Sequence, residues 1–156
     1  MNFNFFIIPA VITIIVIMRI RYTKHGLRYW HEELNKPTWT PSTELIGEIW
    51  TFLYIVIGLA VLWYWNVPIF SWIHFVTAGV LIINAYLNAT WNKVLFVDHN
   101  LSKASQRLNL IIITAVIATT LMAIASPIAA GLMLPYLVWL IIARNLSNKI
   151  IKMNHK

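Results

Sequence analysis

The stretch that decides the fold runs from Ile49 to Asn92 and reads IWTFLYIVIGLAVLWYWNVPIFSWIHFVTAGVLIINAYLNATWN. It contains no Asp, Glu, Lys or Arg over 44 residues. At about 1.5 Å per residue, one helix of this length would extend about 66 Å, roughly twice the apolar thickness of a bilayer. Asn66 and Pro68 lie near the middle and favour a turn. The stretch therefore predicts two membrane-spanning helices joined by a short connection.

The composition of the whole chain also indicates a membrane protein. Of the 156 residues, 60% are hydrophobic and 11% are charged, and the mean hydropathy is +0.72. Soluble proteins contain about 25% charged residues, so this chain has too few charges to cover a water-facing surface. We therefore expect the lipid bilayer to surround it. The chain has no cysteine, which excludes disulfides and thiolate ligands, and its histidines lack metal-ligand spacing, so we expect no metal site.

Two further uncharged runs complete the count of spans. Residues 1–18 predict one helix, and residues 108–143, with a break at Ser126 and Pro127, predict two. These runs do not alternate between polar and apolar residues as the strands of a membrane barrel do. The sequence thus predicts an all-α membrane protein, one domain over residues 1–156 that forms a bundle of five transmembrane helices. The helices are expected near residues 3–20, 43–65, 69–96, 104–125 and 129–149.

The basic residues predict the topology. All twelve Lys and Arg residues lie in the segments 19–48, 93–107 and 144–156. Five spans would bring these segments to one side, which the positive-inside rule assigns to the cytoplasm, with the N-terminus outside and the C-terminus cytoplasmic. The net charge of +7 then reflects topology, and we expect no nucleic-acid partner. The Ile-, Asn- and Lys-rich composition and the lack of a recognisable targeting extension lead us to expect a prokaryotic cell membrane.

Polar and aromatic residues recur at helical spacing inside the predicted spans. Asn84, Asn88 and Asn92 are four residues apart and share one helix face. Such amides either hydrogen-bond to neighbouring helices or contact a ligand, and spacing alone leaves both interpretations open. Two other faces place aromatic residues beside small or kinked positions: Gly47, Trp50, Tyr54 and Gly58, and Pro135, Trp139 and Ala143. Together these faces favour a pocket for a flat, mostly apolar ligand.

Several motifs together resemble one known family. They are WHEELNKPTWTP (Trp30–Pro41), NAYLNATWN (Asn84–Asn92) and LPYLVWLIIA (Leu134–Ala143), along with Trp50. In this combination they resemble the TspO/MBR family, whose members are tryptophan-rich sensory proteins and translocator proteins, also called peripheral benzodiazepine receptors. The resemblance covers nearly the whole chain.

The resemblance implies a ligand, a site and an assembly. The family forms homodimers of five-helix bundles that bind porphyrins, haem and drug-like isoquinolines or benzodiazepines between helices, under the first loop. No cofactor is required, since porphyrin or haem would be the ligand. Matching the motifs implies these ligand-binding residues: His31, Pro41, Trp50, Tyr54, Asn84, Asn88, Trp91, Trp139, Ala143 and Leu146. Ala85 and Ala89 form a small-xxx-small pair, which also favours a homodimer.

Three functions are compatible with this resemblance. The leading hypothesis is a membrane binding protein and sensor for tetrapyrroles, with regulatory output. The alternative is light-dependent porphyrin degradation, in which Trp50 and Trp139 would be the reactive residues, so whether the chain is an enzyme stays open. The third is transport of porphyrin or lipid. The sequence shows no general acid, general base or metal site that would separate them.

The sequence departs from the family pattern at two loop positions. His31 stands where the family usually has tyrosine, and Ser42 stands where it has a second proline. His31 is either an axial ligand for a haem iron or a polar replacement that faces solvent. The sterol motif of mammalian members is absent from the end of the last helix, so we do not expect cholesterol transport.

Overall fold

The computed structural model describes residues 17, 33–67 and 72–154. Within these ranges the chain forms four long helices: α1 (Thr43–Trp65), α2 (Trp72–Phe96), α3 (Leu101–Ala125) and α4 (Pro127–Asn154). They contain 23 to 28 residues, which corresponds to about 35 to 42 Å, enough to cross an apolar layer of about 30 Å. Each is also apolar enough to span a membrane.

The predicted bundle of five transmembrane helices is wrong, because the described residues form four helices of membrane-spanning length and composition. The predicted first helix, near 3–20, lies outside the described residues except for Ile17. That helix was counted from the absence of charge. A lack of charge shows only that a segment tolerates lipid. The prediction that the N-terminus lies outside was based on five spans. It therefore loses its basis.

Polar side chains fix the boundaries of the helices. Ser42, the replacement for the family's second proline, begins α1, and its Oγ accepts a hydrogen bond from the Leu45 amide at 3.2 Å. Asn100 begins α3 in the same way, accepting from the Lys103 amide at 2.8 Å. Ser126 ends α3, and its Oγ accepts from the Ala129 amide at 3.3 Å in the first turn of α4. These caps satisfy amides that a helix start leaves unpaired.

The helices pack in the spatial order α2, α3, α4, α1. Small residues at the interfaces, among them Ala115 and Ala118 on α3 and Ala129 on α4, are fully buried. Such residues let helix backbones approach closely, which is how helices associate in lipid. The backbone of α1 lies close to that of α4, whereas α1 and α2 meet through side chains such as Tyr64 and Thr77, whose hydroxyls are 3.0 Å apart. The wider spacing between the backbones of α1 and α2 is where the candidate site lies.

One end of the bundle carries the described basic residues. Consecutive helices run antiparallel, so the segment before α1, the connection from 97 to 100 and the end of α4 meet there. Asn35 and Asn154 join two of these segments through reciprocal hydrogen bonds of 3.0 and 2.9 Å. The connection turns sharply at His99, whose φ of 49° is unusual for a residue other than glycine. We refer to this end, with Lys36, Lys93, Lys103, Arg107, Arg144, Lys149 and Lys152, as the basic end.

Candidate ligand-binding site

A cavity of about 290 Å³ lies toward the basic end, between α1, α2 and α4, with part of α3 at its back. Its volume is at the lower end of the range for small-molecule sites. The wall is mostly apolar, and none of the described residues that line it is charged. The lining residues are Pro41, Thr43, Ile46, Gly47, Trp50, Asn88, Trp91, Asn92, Leu95, Phe96, Leu101, Leu108, Ile111, Trp139, Ile142, Ala143, Leu146, Ser147 and Ile150.

Helical periodicity explains which residues reach the cavity. On α1 the lining residues Thr43, Ile46, Gly47 and Trp50 recur three and four positions apart, and therefore share one face. The same spacing brings six residues of α4, from Trp139 to Ile150, onto one face. The cavity is thus built mainly by helix faces, with Pro41 of the segment before α1 at its edge.

Tryptophan rings form the apolar wall. The rings of Trp50 and Trp139 meet edge to face, with centroids 6.4 Å apart and planes at 89°. Trp50 also stacks on Tyr54, at 5.7 Å and 29°. Trp91 belongs to α2, and its Nε1 donates a 3.0 Å hydrogen bond to the carbonyl oxygen of Ala104 on α3. Perpendicular rings beside a cavity offer both a face and an edge to a flat ligand.

A hydrogen-bond network lies directly beneath this wall. The Tyr54 hydroxyl donates to Asn88 Oδ1 at 3.1 Å, and Asn88 Nδ2 donates to the Tyr136 hydroxyl at 3.2 Å. Tyr136 in turn donates to Asn84 Oδ1 at 2.9 Å. Asn84 Nδ2 completes the network with 2.8 Å bonds to the Ile111 carbonyl and to Thr114 Oγ1. Four helices are thereby joined through the inter-helix network (Tyr54, Asn84, Asn88, Thr114 and Tyr136).

Two residues of the cavity wall, Asn92 and Trp139, have buried polar atoms without a partner among the described residues. Asn92 is 1% exposed. Its Oδ1 and Nδ2 atoms, and the Nε1 atom of Trp139, are buried and have no hydrogen-bond partner in the described part of the chain. Buried polar atoms are nearly always paired, so each exception needs a physical explanation.

The segment before α1 borders the cavity at the basic end. Pro37 begins a turn in which its carbonyl accepts from both the amide and the hydroxyl of Thr40, at 3.0 and 2.7 Å. Trp39 lies under the Lys149 ammonium of α4, 5.3 Å from the ring centroid. Pro41 then lines the cavity itself. The segment is thus attached to α4 and continues into α1, so it links these two helices.

The structure brings most of the predicted ligand-binding residues together. Those that line the cavity are Pro41, Trp50, Asn88, Trp91, Trp139, Ala143 and Leu146. Tyr54 and Asn84 belong instead to the inter-helix network. His31 lies outside the described residues. That these residues bind a ligand stays a prediction.

Several lining residues were not among the predicted site residues. Asn92 and Gly47 belong to the helix faces visible in the sequence, so extending those faces would have found them. Leu95, Phe96, Leu101 and Leu108 have no such signal, because apolar residues in a membrane helix look alike whether they face lipid, core or cavity.

Comparison with known proteins decides the family. The model of the TspO/MBR family matches residues 5–153. The chain belongs to the TspO/MBR family. Within it, an uncharacterized membrane protein, YtaB of Bacillus subtilis (strain 168), is 34% identical over 129 residues, covering 80% of each chain. The tryptophan-rich protein TspO of Bacillus cereus is 30% identical and covers 81% of this chain and 82% of its own.

The TspO/MBR family extends to animals. The human translocator protein is 30% identical over 131 residues, which cover 83% of this chain and 77% of the human one. Together with the apolar helices, the bacterial TspO/MBR relatives place the chain in a prokaryotic membrane.

The predicted TspO/MBR-type homodimer stays a prediction, but one argument for it is lost. Of the small pair Ala85 and Ala89, Ala89 is 3% exposed and therefore already buried within the described residues. A small-residue pair can serve as an interface between two bundles only where both members reach the lipid-facing surface.

Proposed function

We propose that this chain binds tetrapyrroles, such as porphyrin or haem, and similar flat hydrophobic molecules in the cavity between α1, α2 and α4. The observation that carries the proposal is the uncharged wall of tryptophans, in which Trp50 and Trp139 are perpendicular at 6.4 Å. A flat apolar ligand would gain contact with both rings as it leaves water or lipid. Membership of the TspO/MBR family supports the same class of ligand.

The charge distribution supports one orientation of such a ligand. A porphyrin with acidic side chains could not bury its carboxylates against an uncharged wall without a large desolvation cost. Lys149 and Lys152 lie on the last turns of α4, on either side of the lining residue Ile150. We therefore propose that the macrocycle enters the cavity and its acidic groups stay at the basic end, paired with lysine ammonium groups.

A porphyrin titration in darkness tests the proposal. Purified protein in nanodiscs should show saturable binding. Trp50→Phe and Trp139→Phe should each weaken it about threefold to tenfold, since an aromatic pair contributes about 0.5–1.5 kcal/mol. Trp63→Phe is the matched control, because Trp63 is on α1 but 53% exposed and outside the cavity lining. Absence of saturable binding, or equal weakening by Trp63→Phe, would refute a site at this cavity.

A regulatory output requires that binding change the surface of the protein. We propose that the segment 33–42 responds, because it is attached to α4 and ends at the cavity through Pro41. Hydrogen exchange of its backbone amides should slow when porphyrin is bound. If exchange is unchanged at saturating porphyrin, the protein binds porphyrin without a regulatory response of this segment. That result would favour a passive carrier over a sensor.

Light-dependent porphyrin degradation is the second candidate function. The observation that favours it is that two oxidisable indoles, Trp50 and Trp139, line the same cavity. Illumination of the bound complex should then bleach the porphyrin absorption, and Trp139→Phe should slow the bleaching more than Trp63→Phe does. Bleaching at the rate of porphyrin in empty nanodiscs would exclude this function.

A further inference from the structure

A second groove lies on α4 at the basic end, beside the cavity of the candidate site. It has a volume of about 480 Å³ and is open to the surroundings. It is lined by Trp39, Ile142, Asn145, Asn148, Lys149 and Lys152. The members on α4 are three or four positions apart and share one helix face, and of them only Ile142 also lines the cavity. We refer to this surface as the α4 groove.

The polar half of the α4 groove offers positive charge and hydrogen-bond donors. Lys149 and Lys152 supply two ammonium groups, and no Asp or Glu is among the described residues that line the groove. The Oδ1 atom of Asn148 accepts hydrogen bonds from Arg144 and from Ser105 of α3, so the Nδ2 group is the part of this amide that remains for a ligand. Cations and N–H donors in this arrangement favour an anion with several acceptor oxygens, such as a phosphate.

The other half of the α4 groove is apolar and continues along the helix. Ile142 is exposed, and so is Val138, four residues earlier on the same face, while Trp39 lies at the groove with its ring under the Lys149 ammonium group. α4 has 28 residues, about 42 Å, so its end extends past an apolar layer of about 30 Å. In a membrane, exposed apolar side chains contact acyl chains, and tryptophan is enriched at the level of the lipid headgroups. The α4 groove therefore lies where the acyl chains of a lipid end and its headgroup begins.

We propose that the α4 groove binds an anionic phospholipid, whose phosphate pairs with Lys149, Lys152 and the Nδ2 group of Asn148. The acyl chains would lie along Val138 and Ile142. A zwitterionic lipid has the same phosphate, but its cationic group would stand close to two ammonium groups, so a headgroup with a net negative charge is preferred. The partner is a lipid and not a free anion, because only a molecule with acyl chains makes contact with the apolar half of the groove.

Competition between two lipids with identical acyl chains tests the proposal. The full chain in detergent micelles receives equal amounts of dioleoylphosphatidylglycerol, which is anionic, and dioleoylphosphatidylcholine, which is zwitterionic. Native mass spectrometry then measures the ratio of the two bound lipids. We expect the anionic lipid to bind about tenfold more tightly, since each lysine near a lipid headgroup strengthens the attraction several-fold. Lys149→Gln combined with Lys152→Gln should reduce this preference to less than about twofold.

A matched double substitution separates a defined site from the general charge of the basic end. Lys93 and Lys103 are exposed lysines of the same end that lie outside the α4 groove. Lys93→Gln combined with Lys103→Gln therefore removes the same charge and should leave the preference unchanged. Lys152→Gln alone keeps the contact between Lys149 and Trp39 and should lower the preference about threefold. Equal loss in both double variants, or a preference that persists without Lys149 and Lys152, overturns the proposal.

The remaining outcomes also decide between alternatives. If an excess of inorganic phosphate displaces the anionic lipid, the groove binds free anions and the assignment to a lipid is wrong. The pairing of porphyrin carboxylates with the same lysines is a separate proposal, so the lipid competition is measured without porphyrin, and its failure leaves tetrapyrrole binding in the cavity untouched. The comparison of the two lipids on the wild-type chain needs no variant. Equal binding of both lipids there overturns the proposal even if a variant does not fold.

Discussion

Asn84 and Asn92 lie on the same face of α2, eight residues apart, and have opposite environments. Both are buried, with exposures of 7% and 1%. Asn84 donates to α3 through two hydrogen bonds of 2.8 Å and accepts one of 2.9 Å from Tyr136 of α4. Asn92 makes no side-chain hydrogen bond to any described residue. Burial therefore does not distinguish the two amides, but hydrogen bonding does.

The difference between these amides teaches how one helix face can serve two purposes. Where α2, α3 and α4 converge, a polar side chain finds partners and stabilises the bundle. Toward the basic end a cavity lies between α1, α2 and α4, and an identical side chain is at its wall. Of the two interpretations of the asparagine stripe, inter-helix contact applies to Asn84 and Asn88, and ligand contact stays a prediction.

Of the substitutions that test this comparison, Asn84→Leu should change the free energy of unfolding most. It removes three hydrogen bonds of the inter-helix network, one of which is donated by Tyr136. We expect the free energy of unfolding to fall by about 2 kcal/mol, within the range for a buried group left unpaired. Reversible unfolding in mixed micelles measures it, with the exposed Asn145→Leu as control. A loss no greater than that of the control would contradict the structural role of Asn84.

Asn92→Leu should act in the opposite direction. Because the wild-type amide is buried without a partner in the described chain, an apolar side chain of similar size should raise the free energy of unfolding by about 1 kcal/mol. The same unfolding assay, without ligand, measures the gain. If the free energy of unfolding falls as much as for Asn84→Leu, Asn92 has a structural partner. The two amides would then not differ in their environments.

Tyr54→Phe should have a smaller effect, because Tyr54 lies at the boundary between the network and the cavity. The change removes the 3.1 Å hydrogen bond to Asn88 and keeps the ring that stacks on Trp50. We expect a loss of about 0.6 kcal/mol, the average for hydrogen bonds between membrane helices. A double-mutant cycle with Asn88→Leu isolates this bond. A coupling energy of zero would place Tyr54 outside the network.

Gly47→Ala should have the smallest effect on stability. It also tests whether a ligand lies beside Gly47 in the cavity. A methyl group on Gly47 would meet no described atom within 4 Å, and the same holds for Gly131 on α4. Both Gly47→Ala and Gly131→Ala should raise the free energy of unfolding by about 0.5 kcal/mol, since glycine weakens a helix interior. Gly47 lines the cavity and Gly131 does not, so only Gly47→Ala should weaken porphyrin binding. Equal binding by both variants would argue against a ligand beside Gly47.

Much of the site could be predicted from the sequence, because helical spacing and uncharged length are local properties. The range 43–65 was expected for a helix and is the range of α1. The faces that contain Trp50, Asn88 and Trp139 do line one cavity. The bundle of five helices could not be predicted in this way, since uncharged length shows only that a segment is able to enter lipid. The separate roles of Asn84 and Asn92 were also beyond the sequence, because their spacing is identical.

The sequence by itself determined that this protein is helical and lies in a membrane, since 60% of its residues are hydrophobic and its basic residues occur only between long apolar runs. Its motifs also determined the family. Only the tertiary structure decided which polar groups stabilise the bundle and which face a cavity. The physical reason is that a hydrogen bond between helices depends on the distance between their axes. That distance is set by packing along the whole helix, and no short stretch of sequence specifies it.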